Sequence, residues 1–331
     1  MKSTRNEVNR AGLINTDQSV TVYSNRQESI KYVFKRRILK NWRLYIFVLP
    51  AVLYYILFKY RPIYGIILAF KDYKASLGIW GSKWVGFEHF RRLFSSYWFP
   101  VIMKNTLTLS ALGLIVGFPF PIILALSLNE VKNSKFRKFV QTVTYAPHFI
   151  STVVLCGVVI MFLSPEYGII NKLIQLFGSE PVFFMQKGSA FKWIYVLSGV
   201  WQNAGWSSII YFAALSGVDP QLLEAAEMDG ANRFQRIWHI NLPTIMPTIV
   251  ILLILNCGSL LSIGHEKVYL LQNQANLTAS EVISTYVYKV GLVQSDYGFS
   301  TAVGLFNSVI NSILLVSVNF IAKRLGETSL Y

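Results

Sequence analysis

Six stretches of this chain are apolar for long enough to cross a lipid bilayer, and that number leaves few soluble architectures open. They run from about Leu44 to Phe70, Val101 to Leu128, Phe139 to Leu163, Trp193 to Leu215, Ile245 to Ile263 and Thr301 to Ala322. At a rise of about 1.5 Å per residue, each covers the ~30 Å hydrocarbon layer. Lys59, Arg61 and Pro62 interrupt the outer third of the first. Lipid offers backbone amides no hydrogen-bond partners, so these stretches are expected to be helices: an all-α integral membrane protein with six transmembrane helices. The composition fits, with 53% hydrophobic and 14% charged residues. A formal net charge of +15 raises the question of nucleic acid, but the basic residues sit in the amino-terminal tail and short loops, not on one polar face. No nucleic-acid partner is therefore expected. Cys156 and Cys257 both lie inside apolar runs and read as small buried hydrophobes, with neither a disulfide nor a metal site implied.

Residues 1–30 are polar and aperiodic and read as a flexible cytoplasmic tail. They hold no apolar core of the kind a cleavable signal peptide needs. Residues 31–43, KYVFKRRILKNWR, read as a basic juxtamembrane segment lying on anionic membrane lipid, where each Lys or Arg contributes about 1 kcal/mol. A solvated flank is the simpler alternative. Residues 44–325 would then form the transmembrane domain, and 326–331 a short carboxy-terminal end. With both termini cytoplasmic, the inner segments carry about 18 Lys and Arg against about 10 in the outer loops, the bias that orients membrane helices.

The most informative polar stretch is Asp219 to Pro247, DPQLLEAAEMDGANRFQRIWHINLPTIMP, held between two spans. Asp219 followed by Pro220 is a helix start, and Gly230 a helix stop that accepts the positive φ of a tight turn. A second short helix, Asn232 to His239, is expected to end before Pro243. Glu224, Ala225, Ala226, Gly230, Ile240, Leu242 and Pro243 spell E-A-A-x3-G-x9-I-x-L-P. This resembles the EAA loop of permease subunits of ATP-binding-cassette importers, and every fixed position of that pattern is met. The resemblance implies the type I importer permease fold in a bacterial cytoplasmic membrane, with residues 219–243 as a cytoplasmic coupling helix docking on a separate ATPase subunit. It also implies two such ATPase subunits, a second, non-identical permease and an extracytoplasmic solute-binding protein. An ordinary amphipathic loop is the alternative, disfavoured by seven positions at the right spacing.

Between Phe58 and Phe94 aromatic residues alternate with Gly, Lys and Asp, which suits an interfacial segment with Trp80, Trp84 and Phe87 at headgroup level. YGIILAFKDY and WVGFEHF there resemble stretches of the oligosaccharide-importer branch related to the lipoprotein-named sugar permeases. The resemblance runs from Lys35 to Leu325 and implies a carbohydrate substrate. Together with the excess positive charge, it extends the expectation to an acidic, uronate-containing oligosaccharide. No G-x-x-x-x-G-K-[ST] loop occurs, so the chain is expected to be a transport subunit without enzymatic activity or cofactor, ATP and Mg being held by the partner ATPase. The span middles carry no Asp, Glu or His, which counts against the rival reading, an ion-coupled carrier or channel working without an ATPase. His148 and His239 read as surface or packing residues.

Neutral polar side chains do occur at membrane depth: Gln202 and Asn203 in the fourth span, Asn256 and Ser259 in the fifth, Asn307 and Asn311 in the sixth. One reading is hydrogen bonding between helices; the other is a solute path in which amides meet sugar hydroxyls while Trp201, Trp206 and Tyr211 face pyranose rings.

Overall fold

The computed structural model describes residues 42–324. The expected tail 1–30, nearly all of the basic segment 31–43 and the end 326–331 lie outside them. The chain divides into two compact units after Gly65. The first, as described, is helical throughout, with Phe47 83% exposed and no buried residue from Trp42 to Ile63. A helix apolar on every side belongs in lipid.

Among the described residues, four helical runs are long and apolar enough to cross a membrane: Trp42–Phe70, Trp98–Asn129, Arg233–Gly258 and Tyr297–Arg324. A fifth consists of Ser134–Phe149 and Thr152–Phe162, bent by 104°. The remaining expected span is the helix Gly188–Leu215, whose 28 residues are long enough but interrupted by Ser198, Gln202, Asn203, Ser207 and Ser208. Six spans thus remain a consistent count, with three corrections. The third span is not one rod. Pro147 closes its first half, and Ser151 opens the second by accepting a hydrogen bond from Val154 N–H at 3.4 Å. Gln202 donates to the Ile150 carbonyl at 3.1 Å, so one freed backbone group at the break is satisfied. The fifth span does not begin at Ile245, because the helix starting at Arg233 passes straight through Pro243. It ends at Gly258, short of the expected Ile263.

The passage through Pro243 has a local cause. A proline clashes with the carbonyl four residues earlier and lacks the N–H that would bond it. Residues Ile237–Asn241 form a wider π turn, with Leu242 N–H reaching back five residues to Ile237, which shifts the His239 carbonyl out of the ring's way. The same device precedes Pro62, at Ile56–Tyr60, and Pro119, at Gly113–Gly117.

Three buried clusters hold the second unit. Leu93, Ile102, Ile283 and Phe299 form one, and Leu109, Cys156, Phe191 and Val268 another. Ala125, Tyr211, Leu215 and Ile245 form the third, tying spans two, four and five. Spans three and four meet at Gly205, where a Cβ would lie 2.1 Å from the Thr144 carbonyl oxygen, so no larger residue fits. Among the described residues, the strands form a two-stranded hairpin pairing Lys71–Asp72 with Lys83–Trp84. Trp80, Trp84 and Phe87 around it are exposed, as residues at a headgroup layer would be.

Candidate functional site: the 219–243 segment and the polar cavity

The helix Pro220–Met228 begins where the sequence places it, with the Asp219 carboxylate accepting from Gln221 N–H at 2.9 Å. It ends in a Schellman turn. Ala231 N–H bonds the Ala226 carbonyl at 2.9 Å, Gly230 N–H bonds that of Glu227 at 3.2 Å, and Gly230 has φ of +81°. A capping box then starts the next helix, Asn232 and Gln235 each accepting from the other's backbone N–H, at 3.0 and 2.7 Å.

The seven motif residues divide by role. Glu224 and Ala225 are exposed on the outer face, and Pro243 is exposed further along the chain. Ala226, Gly230 and Ile240, with Arg236 and His239, line a recess of about 310 Å³ in the crook of the bend. Ile240 and Leu242 pack on the third cluster. In the same segment Leu222, Met228, Phe234 and Trp238 are open to solvent, Met228 88% exposed and Phe234 83%. Apolar side chains this open, among the charged and polar residues of this segment, form a surface suited to a partner.

Sequence reasoning missed what holds the segment in place. Glu130, at the end of the second span, accepts from Arg236 Nη2 at 3.0 Å and from Asn241 Nδ2 at 3.0 Å. Both members of the ion pair are nearly buried, and Asn241 is fully so. Arg236 Nη1 also reaches Glu227 at 3.4 Å, and Lys132 approaches the same carboxylate at 3.8 Å. The only hint in the sequence was Glu130 as the lone acid in the basic stretch NEVKNSKFRK.

The polar residues proposed for a solute path separate into two groups. Trp206, Tyr211, Asn256 and Ser259 line one cavity of about 730 Å³ among spans two, four and five, together with Ser110, Ser207 and Ser262. Trp206 lies flat on His148, ring centres 4.6 Å apart and planes 4° apart, so the broken third span supports it. Asn203 bonds that histidine at 3.1 Å. Asn311 acts as a brace: its Oδ1 accepts from Leu261 N–H at 3.0 Å and its Nδ2 donates to Ser262 Oγ at 2.8 Å, fixing the cavity wall. Gln202 bonds backbone at the third-span break, and Trp201 lines a separate apolar cavity of about 670 Å³ with Phe162 and Trp193. Asn307 Oδ1 is buried without a hydrogen-bond partner among the described residues. Among the described residues, no three His, Cys, Asp or Glu side chains gather as a metal site.

Comparison with known proteins gives this geometry a context. The family described as binding-protein-dependent transport system inner membrane component matches residues 117–327. The chain is 48% identical over 295 residues, 89% of its length and 92% of the relative's, to the polygalacturonan/rhamnogalacturonan transport system permease protein YteP of Bacillus subtilis (strain 168). It is 43% identical to Protein LplB of the same organism, across 87% of this chain and 91% of that one. Among solved structures, a bacterial alginate ABC transporter in complex with alginate pentasaccharide-bound periplasmic protein superposes with a TM-score of 0.82 at 41% identity, covering 89% of this chain and 99% of its counterpart. The chain thus belongs to the binding-protein-dependent transport system inner membrane components, as a multi-pass permease subunit of an ATP-binding-cassette importer.

Proposed function

We propose that this subunit forms one side of the membrane path of an ATP-driven oligosaccharide importer. In this reading the 219–243 segment is the element by which separate ATPase subunits drive it. The observation that carries the reading is the capped, bent segment with Glu224 and Ala225 outermost and Met228 and Phe234 open to solvent. A closely approaching partner would cover that surface, and Glu224 would accept its hydrogen bonds. No joint separates the second half of this segment from the fifth span, since one helix runs from Arg233 to Gly258. Motion imposed at the docking face therefore enters the bilayer directly, and the spans alternate between inward- and outward-open arrangements. Both termini lie in the cytoplasm, with the ATPases. The path is completed by a second permease, and an extracytoplasmic solute-binding protein delivers the substrate.

The substrate class we favour is an acidic oligosaccharide containing uronic acid. The names of the relatives, which concern polygalacturonan, rhamnogalacturonan and alginate, support it. So does a cavity that joins the Trp206 ring to the amide and hydroxyls of Asn256, Ser259 and Ser262, since sugars present apolar faces and hydroxyl edges together. The test is uptake into vesicles holding this subunit with the co-purified permease, ATPases and binding protein. ATP-dependent entry of oligogalacturonate, with neutral oligomers of equal length at least tenfold slower, is the expected result. Flux driven by an ion gradient through this chain alone would overturn the ATPase-coupled reading, and equal rates for neutral and acidic oligomers the uronate reading. Glu224→Lys should lower ATP-driven uptake tenfold or more while its amount in the membrane is unchanged.

A further inference from the structure

Resting on the docking role proposed above, we infer that Glu130 and Arg236 are positioning residues for energy coupling. Arg236 sets the angle of the bent segment, and Glu130 anchors that angle to the second span. Neither touches the proposed docking face: Arg236 is 9% exposed, and the side chain of Glu130 12%.

The bend itself lacks packing support. A Cβ placed on Gly230 would meet nothing within 4 Å, and glycine at φ of +81° is the most permissive hinge a chain can offer. The outer helix Pro220–Met228 has no buried residue, and it touches the third cluster through the half-buried Leu223. Besides the Schellman turn and the cluster that Leu223 shares with Ile237 and Ile240, the Arg236 guanidinium spans the hinge. It lies on the inner side, one nitrogen 3.4 Å from Glu227 in the outer helix and the other 3.0 Å from Glu130. A planar fork with nitrogens in fixed directions relates two carboxylates at a set angle, which the single point charge of a lysine cannot do. Glu130 completes the frame by using its second oxygen on Asn241, one turn further along the fifth-span helix. Three pieces of chain are thereby referred to one carboxylate: the end of span two, the start of span five and, through Arg236, the docking helix.

A buried ion pair is a poor device for stability alone. Desolvation offsets most of its attraction, and apolar replacements of similar size often fold as well. What it does supply is direction. A knob that swings freely about Gly230 would still bind a partner but would transmit little of the partner's movement.

The experiment uses the complete transporter in lipid vesicles and measures solute imported per ATP hydrolysed. Glu130→Gln keeps the side chain's shape, Arg236→Gln keeps an unbranched polar one, and both are expected to lower that ratio at least fivefold while the ATPase subunits still co-purify. Arg236→Lys should fall between them and the unaltered protein. Spin labels at Gln221 and Lys135 in the same complex should give one narrow distance distribution, broadened by either Gln variant. If the variants reduce only the amount of transporter and leave the ratio and the distances unchanged, the role is merely structural and the inference is overturned. Should neither single variant assemble, Glu130→Arg combined with Arg236→Glu decides the matter: a ratio restored to within threefold supports the pairing, and failure to restore it overturns it. Glu224→Lys in parallel separates the two levels. If it uncouples and the Gln variants do not, only the positioning role fails; if it transports normally, the docking role itself is wrong.

Discussion

Two segments join neighbouring spans by similar lengths of chain and are built on opposite plans. Residues 219–243 bury only Arg236 and Asn241, yet hold Met228, Phe234 and Trp238 open to solvent. Residues 265–293 bury Val268, Leu271, Val282, Ile283 and Val290 and enclose a polar web among them. In that web Glu281, 3% exposed, takes hydrogen bonds from Lys289 at 2.5 Å, Gln272 at 3.1 Å and Thr285 at 3.0 Å. Asn276, fully buried, donates to the carbonyls of Met185 and Leu271. Nearby, Lys267 donates to the Tyr195 carbonyl at 3.0 Å, and burial pushes its ammonium down to about 8 while Cys156 opposes the shift. The second segment supplies its own partners. The first leaves its apolar side chains open, as the surface of an interface would, and that is the difference between the two.

That contrast can be broken at several points. The largest effect on stability is expected in the closed segment. Glu281→Ala leaves the partly buried Lys289 ammonium without its carboxylate and should cost about 3–5 kcal/mol, seen as a lower unfolding temperature of the purified transporter. A variant as stable as the parent would mean the web holds nothing. Next comes the hinge. Gly230→Ala meets no steric obstacle but must hold a left-handed backbone, which costs about 1–2 kcal/mol locally. Gly230→Asn, better suited to that region, should retain more uptake than Gly230→Ala. The reverse order would show that the turn opens during transport. Smallest in stability is Phe234→Ser, within about 0.5 kcal/mol because the ring is already 83% exposed. Its uptake should nonetheless fall severalfold. Unaltered uptake would place the partner elsewhere.

What could be read from the sequence follows the range of the interactions. Asp219, Pro220 and Gly230 act on residues within one or two turns of themselves, so the helix Pro220–Met228 and its bend were visible in the letters. The Arg236–Glu130 pair closes over 106 positions, and no local pattern announces it. The broken third span lay between: Pro147 and Ser151 are punctuation, but an apolar run from Phe139 to Leu163 concealed them. Pro243 misled for a related reason. A proline ordinarily ends a helix, and only the spare residue of a π turn lets the chain continue. Among the residues expected along a solute path, spacing placed Asn307 and Asn311 on one face, but helix rotation and neighbours decide their use. Asn311 braces a wall, and Asn307 Oδ1 stays without a bond.

The uninterrupted helix from Arg233 to Gly258 also sets a scale for movement. Twenty-six residues extend about 39 Å, so a swing of only about 10° about one end carries the other through about 7 Å. A modest tug at the rim would thus be magnified, before it reaches Asn256, into a displacement comparable with the width of a sugar ring. In the proposed coupling, stiffness along that lever arm, more than tightness of grip at its tip, governs how much movement reaches the cavity.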